Sequence, residues 1–428
     1  MASTKRMIRS LGRSLWPLFS GGKAIFAIAV LAALVSLLAF ASPVHAAWYN
    51  ANWTYRKKLT IDYTKVGATL SSFPVLVSLT SDSDLAAHAR SDGYDILFTS
   101  SDGTTKLDHE IESYTSASGA LVAWVRIPSL SNGADTDIYM YYGYASASNQ
   151  QNASGVWGDG GSNYYKGVWH LKESPADGVA GHVDSTGNSR TGTPQGFSDG
   201  GSGTTNSTGI AAGADYFANG DNNRVEVADN AVLRPNGDFT IEGWVYLDNP
   251  ATADHMLYKQ NADWFSYQIW FGGSVPRFQW SDTYRNAPIA VGTTTLSANT
   301  WYHIAGVKSG TTLQVYTNGV AGTAATGASG NTYTGTDPLM LGAVYDGGGG
   351  VGGRLDEVRF SGYARSSSWL TTEYNNMSNP GPGTGKFFKT LGSQEVNSDV
   401  TLAEHAAGQE ADKFTSASSV TGAELFAF

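Results

Sequence analysis

The sequence predicts an all-β protein built mainly from two sandwiches. One observation behind this prediction is composition: 51 Gly, 12 Trp and 22 Tyr occur among 428 residues, and only 15% of the residues are charged. Such a composition is typical of turn-rich β proteins with aromatic faces. The other observation is a series of short segments in which apolar and polar residues alternate, separated by turn residues. Cysteine is absent, which excludes disulfides and thiolate chemistry.

The amino terminus has the pattern of a secretory signal. Residues 1–46 carry five basic and no acidic side chains, an apolar segment covers 24–40, and Val44-His45-Ala46 fits a cleavage site. We therefore predict a signal peptide over 1–46 and a secreted or cell-surface protein. The alternative is an uncleaved membrane anchor, because the apolar segment is long for a signal.

The charge of the chain limits its partners. Removal of residues 1–46 would take the formal charge from −10 to about −15. A protein with this negative charge repels nucleic acid and anionic lipid. We therefore expect no nucleic-acid partner. Contact with a membrane is expected only through an uncleaved signal.

The segment 47–148 is predicted to be a β-sandwich of short strands. Six motifs follow one another in it: Trp53-Thr-Tyr-Arg-Lys-Lys, Phe73-Pro-Val-Leu-Val, Asp92-Gly-Tyr-Asp-Ile-Leu-Phe, Leu107-Asp-His-Glu-Ile-Glu, Val122-Ala-Trp-Val-Arg-Ile-Pro and Tyr139-Met-Tyr-Tyr-Gly. Together they resemble the bacterial extracellular family known as domain of unknown function 2341. The resemblance implies a secreted or surface module and no established chemistry.

Three acidic residues of this segment are candidates for catalysis. Asp108, Glu110 and Glu112 are predicted to lie on one face of a strand, with roughly 6 to 7 Å between successive positions. Two carboxylates at such a separation could serve an inverting glycosidase. The alternative is that they are solvated edge charges, or form a salt bridge to Lys57 or Arg126.

A second domain is predicted over 164–378, after a linker rich in Asn, Gly and Ser. Its motifs are Trp169-His-Leu-Lys-Glu, Asp184-Ser-Thr-Gly-Asn188, Tyr216-Phe-Ala-Asn-Gly-Asp-Asn-Asn-Arg-Val-Glu-Val, Phe239-Thr-Ile-Glu-Gly-Trp-Val-Tyr-Leu, Trp301-Tyr-His-Ile-Ala-Gly, Leu313-Gln-Val-Tyr-Thr-Asn-Gly and Leu355-Asp-Glu-Val-Arg-Phe. Their order and spacing resemble the laminin G-like, concanavalin A-like jelly-roll domains of bacterial surface proteins. The resemblance implies two packed antiparallel sheets, with carbohydrate or protein ligands bound on a concave face or loop rim.

Local patterns within this domain predict individual elements. The segment 239–247 is predicted to be a central strand with one aliphatic face. Asn318-Gly319 supplies the positive backbone angles of a tight hairpin turn. Ser366 is predicted to cap a short helix that reaches Tyr374.

The predicted central strand also supplies the candidate ligand-binding residues. Trp244 and Tyr246 lie on the face opposite its aliphatic side chains, and sugar rings stack on aromatic rings. We therefore predict a carbohydrate platform at Trp244 and Tyr246. The alternative is that Trp244 packs as core under loops.

A structural calcium ion is the cofactor prediction. Calcium takes six to eight oxygen ligands, and Gly-rich turns containing Asp184, Asn188 and Asp221 supply such oxygens. Asp356 could complete the shell, because the first and last strands of a jelly roll are neighbours. The alternative is that these Asx residues satisfy the backbone of their own turns.

Taken together, these features predict a secreted or cell-surface binding protein for glycans or surface partners. No Glu-x-Asp-x-x-Glu strand motif of glucanases occurs, so no enzyme activity is expected. The alternatives are a structural or adhesive protein of the cell envelope and an accessory part of a polysaccharide-degrading enzyme. After a Pro-Gly-rich linker, 386–428 is predicted to begin a further β module, as in a fragment of a longer protein.

Overall fold

The computed structural model describes residues 46–158, 165–175, 181–197, 207–218, 223–261, 264–282, 286–329, 336–344 and 349–398. Contacts divide the chain into two units, Met1–Ala47 and Trp48–Phe428. The predicted signal segment therefore lies almost entirely outside the described residues. Among the described residues, no helix has both the length and the apolar character needed to cross a membrane.

The first part of the chain forms seven strands and two short helices. They are β1 (Tyr55–Ile61), β2 (Leu70–Leu79), α1 (Ser83–His88), β3 (Leu97–Ser100), β4 (Lys106–Leu107), β5 (His109–Thr115), β6 (Ala120–Leu130), β7 (Thr136–Tyr142) and α2 (Ala153–Trp157), with a 3-10 turn at Tyr63–Lys65.

The remaining strands and the longest described helix follow. They are β8 (Tyr165–Trp169), β9 (Gly192–Gln195), β10 (Ser207–Thr208), β11 (Gly213–Phe217), β12 (Arg224–Val227), β13 (Phe239–Leu247), β14 (His255–Asn261), β15 (Trp264–Phe271), β16 (Pro276–Trp280), β17 (Ile289–Val291), β18 (Trp301–Ser309), β19 (Thr312–Thr317), β20 (Val320–Ala321), β21 (Ala325–Thr326), β22 (Leu339–Leu341), β23 (Gly353–Ser361), α3 (Ser367–Ser378), β24 (Phe388–Leu391) and β25 (Glu395–Val396), with a 3-10 turn at Ala231–Leu233.

The first sandwich packs a six-stranded sheet on a three-stranded one. The larger sheet has the order β24-β1-β7-β3-β4, with β25 also on β1, and the smaller has the order β2-β6-β5. Alternating side chains such as Ile61 and Met140 of one sheet and Val75 and Val125 of the other share one hydrophobic cluster. This sandwich confirms the all-β character predicted for the segment.

The second sandwich is the predicted jelly roll. Its nine-stranded sheet has the order β10-β11-β23-β13-β18-β19-β20, with β8 on β23 and β21 on β19; its seven-stranded sheet has the order β17-β16-β15-β14-β22-β12-β9. Strand β13 lies between β18 and β23, as a central strand should. Its aliphatic face, including Ile241 and Val245, shares a second hydrophobic cluster with Ile269 and Phe278 of the facing sheet.

The predicted turn and helix are also present. Asn318 and Gly319 have φ angles of 53° and 76°, the left-handed values that a tight hairpin turn requires. The side chain of Ser366 accepts a hydrogen bond from the backbone N–H of Trp369 and caps α3. The helix is one turn longer than predicted and ends at Ser378.

The two sandwiches pack against each other through one shared core. Trp124 of β6 and Trp157 of α2 belong to the same hydrophobic cluster as Val168, Trp244 and Trp369. The second face of the nine-stranded sheet is therefore covered in part by the three-stranded sheet and by α3. This covering decides which residues of β13 can meet a ligand.

The described part of the carboxy-terminal segment returns to the first sandwich. Strands β24 and β25 both pair antiparallel with β1, so residues 388–396 complete the first sheet. The rest of the predicted further module, 399–428, lies outside the described residues.

Candidate functional site

The outward face of the seven-stranded sheet combines aromatic rings with amides. In β15 and β16 the side chains alternate, so that Tyr267, Ile269 and Phe278 enter the core while their neighbours point outward. In β14 a bulge lies between His255 and Leu257. Because of it, the side chains of both His255 and Tyr258 point away from the core. The face, termed the amide–aromatic face below, consists of His255, Tyr258, Gln268, Trp270, Arg277 and Gln279.

Hydrogen bonds run across this face from strand to strand. The Nε2 of His255 lies 3.0 Å from Oε1 of Gln268, whose Nε2 donates to Oε1 of Gln279 at 2.8 Å. Gln279 in turn donates to the carbonyl of Ala287 at 2.8 Å. On the other side, Nδ1 of His255 lies 2.9 Å from Asp254. These contacts fix the amide orientations in advance of any ligand.

The rings of the face are packed yet half-exposed. The guanidinium carbon of Arg277 lies 4.8 Å from the ring centroid of Trp270. His255 stacks beside Trp270 at 6.4 Å and meets Tyr258 edge-on at 5.2 Å. Tyr258, Trp270, Arg277 and Gln279 are all partly exposed. A surface of this kind offers flat apolar rings beside fixed donors and acceptors, which is what a sugar ring needs.

The predicted platform residue Trp244 is buried, and this part of the prediction is wrong. Its side chain is 1% exposed, its ring stacks on Tyr374 of α3 at 5.8 Å, and its indole N–H faces the sulfur of Met377 at 3.2 Å. Because the helix covers the ring, a sugar cannot stack on it. Trp244 is core, as the alternative held.

Tyr246 lies on the same face of β13 but beyond the covering helix. It belongs to a row of four residues on neighbouring strands, all partly exposed. The Arg354 guanidinium lies 4.6 Å from the Tyr246 ring and 5.7 Å from another tyrosine ring, and Trp301 lies 5.5 Å from Tyr246. The set, termed the aromatic row below, is Tyr216, Arg354, Tyr246 and Trp301.

The predicted calcium ligands do not gather into one site among the described residues. Asp184 accepts from the backbone N–H groups of Val168, Thr186 and Arg190, and Asn188 bonds to the hydroxyl of Thr186. These Asx side chains form hydrogen bonds with their own turn and its neighbours, as the alternative interpretation without an ion expects.

Asp356 is engaged elsewhere in the fold. It accepts from the N–H groups of Ile210 and Ala211, and burial raises its pKa well above the ordinary value. Neither Asp184 nor Asp356 belongs to a described group of three ligand-type side chains, and Asp221 lies outside the described residues. Calcium binding therefore stays a prediction.

The three candidate catalytic acids divide between surface and interior. Asp108 forms a salt bridge of 3.2 Å with Arg126, as the alternative expected. Glu110 and Glu112 are buried instead of solvated. Glu110 accepts from Nε1 of Trp157 at 2.5 Å and from the hydroxyl of Ser185 at 2.8 Å.

Glu110 and Glu112 belong to an ionic cluster between the two sandwiches. His170 lies with Nδ1 2.7 Å from Glu357 and Nε2 3.2 Å from Glu110. The Arg359 side chain donates to Glu357 at 2.7 Å and covers the Trp124 ring at 4.4 Å. The set, termed the interface cluster below, is Glu110, Glu112, His170, Glu357 and Arg359.

Electrostatics sets the charges in this cluster. Burial alone would lower the pKa of His170, but three carboxylates raise it well above its ordinary value. Burial alone would raise the pKa of Glu110, yet His170 and the hydrogen bonds hold it at about 2. Burial and the neighbouring Glu357 raise the pKa of Glu112 to about 8. The cluster therefore links the two sandwiches by ion pairs. Its carboxylates are buried, so a polysaccharide chain cannot reach them.

The family comparisons match this architecture in order. Residues 92–166 match the model of domain of unknown function 2341. Residues 219–371 match the model of the concanavalin A-like lectin/glucanases superfamily. This confirms the predicted succession of domains. As its name states, the superfamily includes lectins and glucanases, so the match supports a binding role without assigning a ligand or excluding catalysis.

Solved structures give more distant likenesses. The binding domain of Paraclostridial Mosquitocidal Protein 1 is 14% identical over 46% of this chain and 50% of its own, with a TM-score of 0.38. Domain 4 of AbnA, a GH43 extracellular arabinanase from Geobacillus stearothermophilus, in complex with arabinotriose, is 20% identical over 48% of this chain and 96% of its own, with a TM-score of 0.37. The botulinum neurotoxin serotype G binding domain is 12% identical over 49% and 50%, with a TM-score of 0.36.

This chain spans about half the length of the mosquitocidal and neurotoxin chains. A comparison with curated proteins finds no significant match.

Sequence reasoning missed the amide–aromatic face, although a signal for it exists. In Trp264-Phe-Ser-Tyr-Gln-Ile-Trp-Phe the polar or amphipathic residues Ser266, Gln268 and Trp270 alternate with apolar ones. The same alternation puts Arg277 and Gln279 outward in the next strand. The interface cluster has no comparable local signal, since its members come from β5, β23 and the residue after β8.

Proposed function

We propose that this protein is an exported binding protein whose jelly roll binds glycans on the amide–aromatic face. The observation that carries the proposal is the juxtaposition of Trp270 and Tyr258 with the hydrogen-bonded amides of Gln268 and Gln279 on adjacent strands. The half-exposed rings supply apolar area for the C–H face of a sugar, and the amides supply oriented donors and acceptors. The Arg277 side chain adds a positive charge that suits an acidic sugar.

The burial of Glu110 and Glu112 supports binding over hydrolysis. Both carboxylates are buried and accept hydrogen bonds from indole N–H groups, Glu112 from Trp124 and Glu110 from Trp157, so they do not flank an open groove as a glycosidase pair must. Export is supported by the predicted signal and by the extracellular type of the first domain. Amino-terminal sequencing of secreted protein should begin near Ala47; recovery only in membranes with Met1 intact would contradict export.

Glycan binding is tested on residues 48–428, which form one compact unit. A glycan array finds the sugar, and titration calorimetry measures its affinity. Trp270→Ala should weaken binding about 10-fold or more, because burying an aromatic ring contributes roughly 1.5–3 kcal/mol. Gln279→Ala should weaken it by a smaller factor, since one hydrogen bond contributes about 0.5–1.5 kcal/mol.

Trp301→Ala is the matched control, because Trp301 is a half-exposed tryptophan on the other sheet. Its affinity should equal that of the wild type. Loss of binding in Trp301→Ala and Tyr246→Ala, with Trp270→Ala unaffected, would place the ligand on the aromatic row instead. Failure of the wild type to bind any soluble glycan would contradict the proposal and favour a structural or adhesive role in the cell envelope.

A further inference from the structure

A second group of buried ionisable side chains lies under helix α3. Glu242 comes from β13, His303 from β18 and Glu373 from α3, and each is 1–2% exposed. One ligand-type atom from each lies within 4.8 Å of those of the other two. These three residues are termed the helix trio below.

Several polar atoms of the helix trio have no hydrogen-bond partner outside the trio among the described residues, and the carboxyl groups of Glu242 and Glu373 lie close enough to share a proton. The atoms without such a partner are both carboxyl oxygens of Glu242, Oε2 of Glu373 and Nδ1 of His303. A buried polar atom without a partner costs about 1–3 kcal/mol, and such atoms are rare in folded proteins. Two carboxyl groups with unused oxygens beside the imidazole of His303 point to a shared cation.

Two arginines, Arg359 and Arg365, act electrostatically on Glu242, yet its carboxyl oxygens accept no hydrogen bond from either. Arg359 donates both to Glu373 and to Glu357, so its charge is divided between the trio and the interface cluster. The Nε2 of His303 lies 3.8 Å from Glu242, and an imidazole binds a metal ion through a ring nitrogen that carries no proton.

The donor set selects the class of ion. One imidazole nitrogen with two carboxylates suits Zn²⁺ and related divalent transition ions, whereas calcium takes six to eight oxygens. Two ligands bound to zinc at about 2.0–2.2 Å lie roughly 3.4 Å apart in a tetrahedral site. The 3.8 Å between His303 and Glu242 is near that separation.

We propose that Glu242, His303 and Glu373 bind one divalent transition ion, best matched by Zn²⁺, which holds helix α3 against the nine-stranded sheet. The ion would take up the unused oxygens of two elements far apart in sequence. The related trio Glu112, His170 and Glu357 is a weaker candidate, because both nitrogens of His170 already face carboxylates.

The competing arrangement is a proton shared between Glu242 and Glu373, and metal analysis distinguishes the two. Residues 48–428, produced in zinc-supplemented medium, should contain about one zinc per chain. Removal by chelator should lower the melting temperature by about 5 °C, and zinc but not an equal concentration of calcium should restore it. Cobalt added to the zinc-free protein should give the visible absorption bands of a low-symmetry site.

Glu242→Gln is the informative variant, because it has the shape of the protonated side chain and lacks the negative charge. It should fold, contain little zinc and show a melting temperature indifferent to chelator. Glu112→Gln is the control in the neighbouring trio and should retain zinc. Zinc-free wild type with no response to zinc or cobalt would overturn the proposal. Retention by Glu242→Gln with loss in Glu112→Gln would overturn the assignment to these residues.

Discussion

At the residue scale, whether a side chain is exposed depends on what packs over it in the folded protein, and its position in the alternating pattern of a strand does not decide this. Trp244 and Tyr246 are two residues apart on one face of β13, as the alternation along the strand predicts. Trp244 is nevertheless buried by Tyr374 and Met377, which come from a helix about 130 residues later. No local pattern contains that information, so exposure could not be predicted for either residue.

His182 carries a prediction for the pH dependence of stability. It is fully buried, with Nε2 2.8 Å from Asp215 and Nδ1 3.3 Å from Glu173. Burial by itself lowers the pKa of an imidazole, but these two carboxylates outweigh burial and raise the pKa of His182 to about 9. The folded state therefore binds the proton more tightly than the unfolded state does, whose pKa is about 6.5.

The stability contributed by His182 should be complete below pH 6.5 and lost as pH rises through about 9. We expect the free energy of unfolding to fall by roughly 3 kcal/mol across this range through His182, and His182→Gln to remove that part of the slope. Denaturant unfolding from pH 6 to 10 measures it. His109→Gln is the control, because burial lowers the pKa of His109 to about 4. Equal slopes for wild type and His182→Gln would refute this prediction.

At the element scale, alternation and turn chemistry predicted the jelly-roll strands well. Strand β13, the Asn318-Gly319 turn and the Ser366 cap are all set by residues within a few positions of one another. The pairing of β24 and β25 with β1 joins residues more than 300 positions apart. It could not be read from the carboxy-terminal segment, which by itself resembles the start of another module.

A second prediction concerns Asn376 of helix α3, whose side chain forms hydrogen bonds with the backbone of strand β2. Oδ1 of Asn376 accepts from the backbone N–H of Leu76 at 2.7 Å, and its Nδ2 donates to the Leu76 carbonyl at 3.0 Å. Because β2 is the edge strand of the three-stranded sheet, the Asn376 amide takes the place of a neighbouring strand at Leu76. Asn376→Ala would leave both buried groups of Leu76 unpaired, so we expect a loss of about 2–4 kcal/mol of stability.

The neighbouring Asn375 provides a graded control for this measurement. It makes a hydrogen bond of 2.9 Å, from Nδ2 to the carbonyl of Lys65, and is only partly buried. Asn375→Ala should therefore cost about 0.5–1.5 kcal/mol. Chemical denaturation of both variants measures the two losses of stability. Equal losses would contradict the prediction that the Asn376 contacts to Leu76 contribute more than an ordinary hydrogen bond.

At the scale of the whole molecule, two modules recognised separately share one interior. The three-stranded sheet lies between the core of the first sandwich and the nine-stranded sheet, and Trp124 and Trp244 belong to a single hydrophobic cluster. The resemblances predicted the fold of each module but not their contact, since no pattern within either module shows which of its residues face the other.

The last prediction concerns cooperativity. The interface cluster joins the modules by ions that are costly to bury alone: His170 lies between Glu110 and Glu357, and Arg359 covers Trp124. Separating the modules would leave these charges without partners and expose the shared apolar cluster. Residues 48–428 should therefore unfold in one calorimetric transition, and residues 164–378 alone should melt at a lower temperature or aggregate. Two resolved transitions, or an isolated jelly roll as stable as the same domain in the longer chain, would show that the modules fold independently.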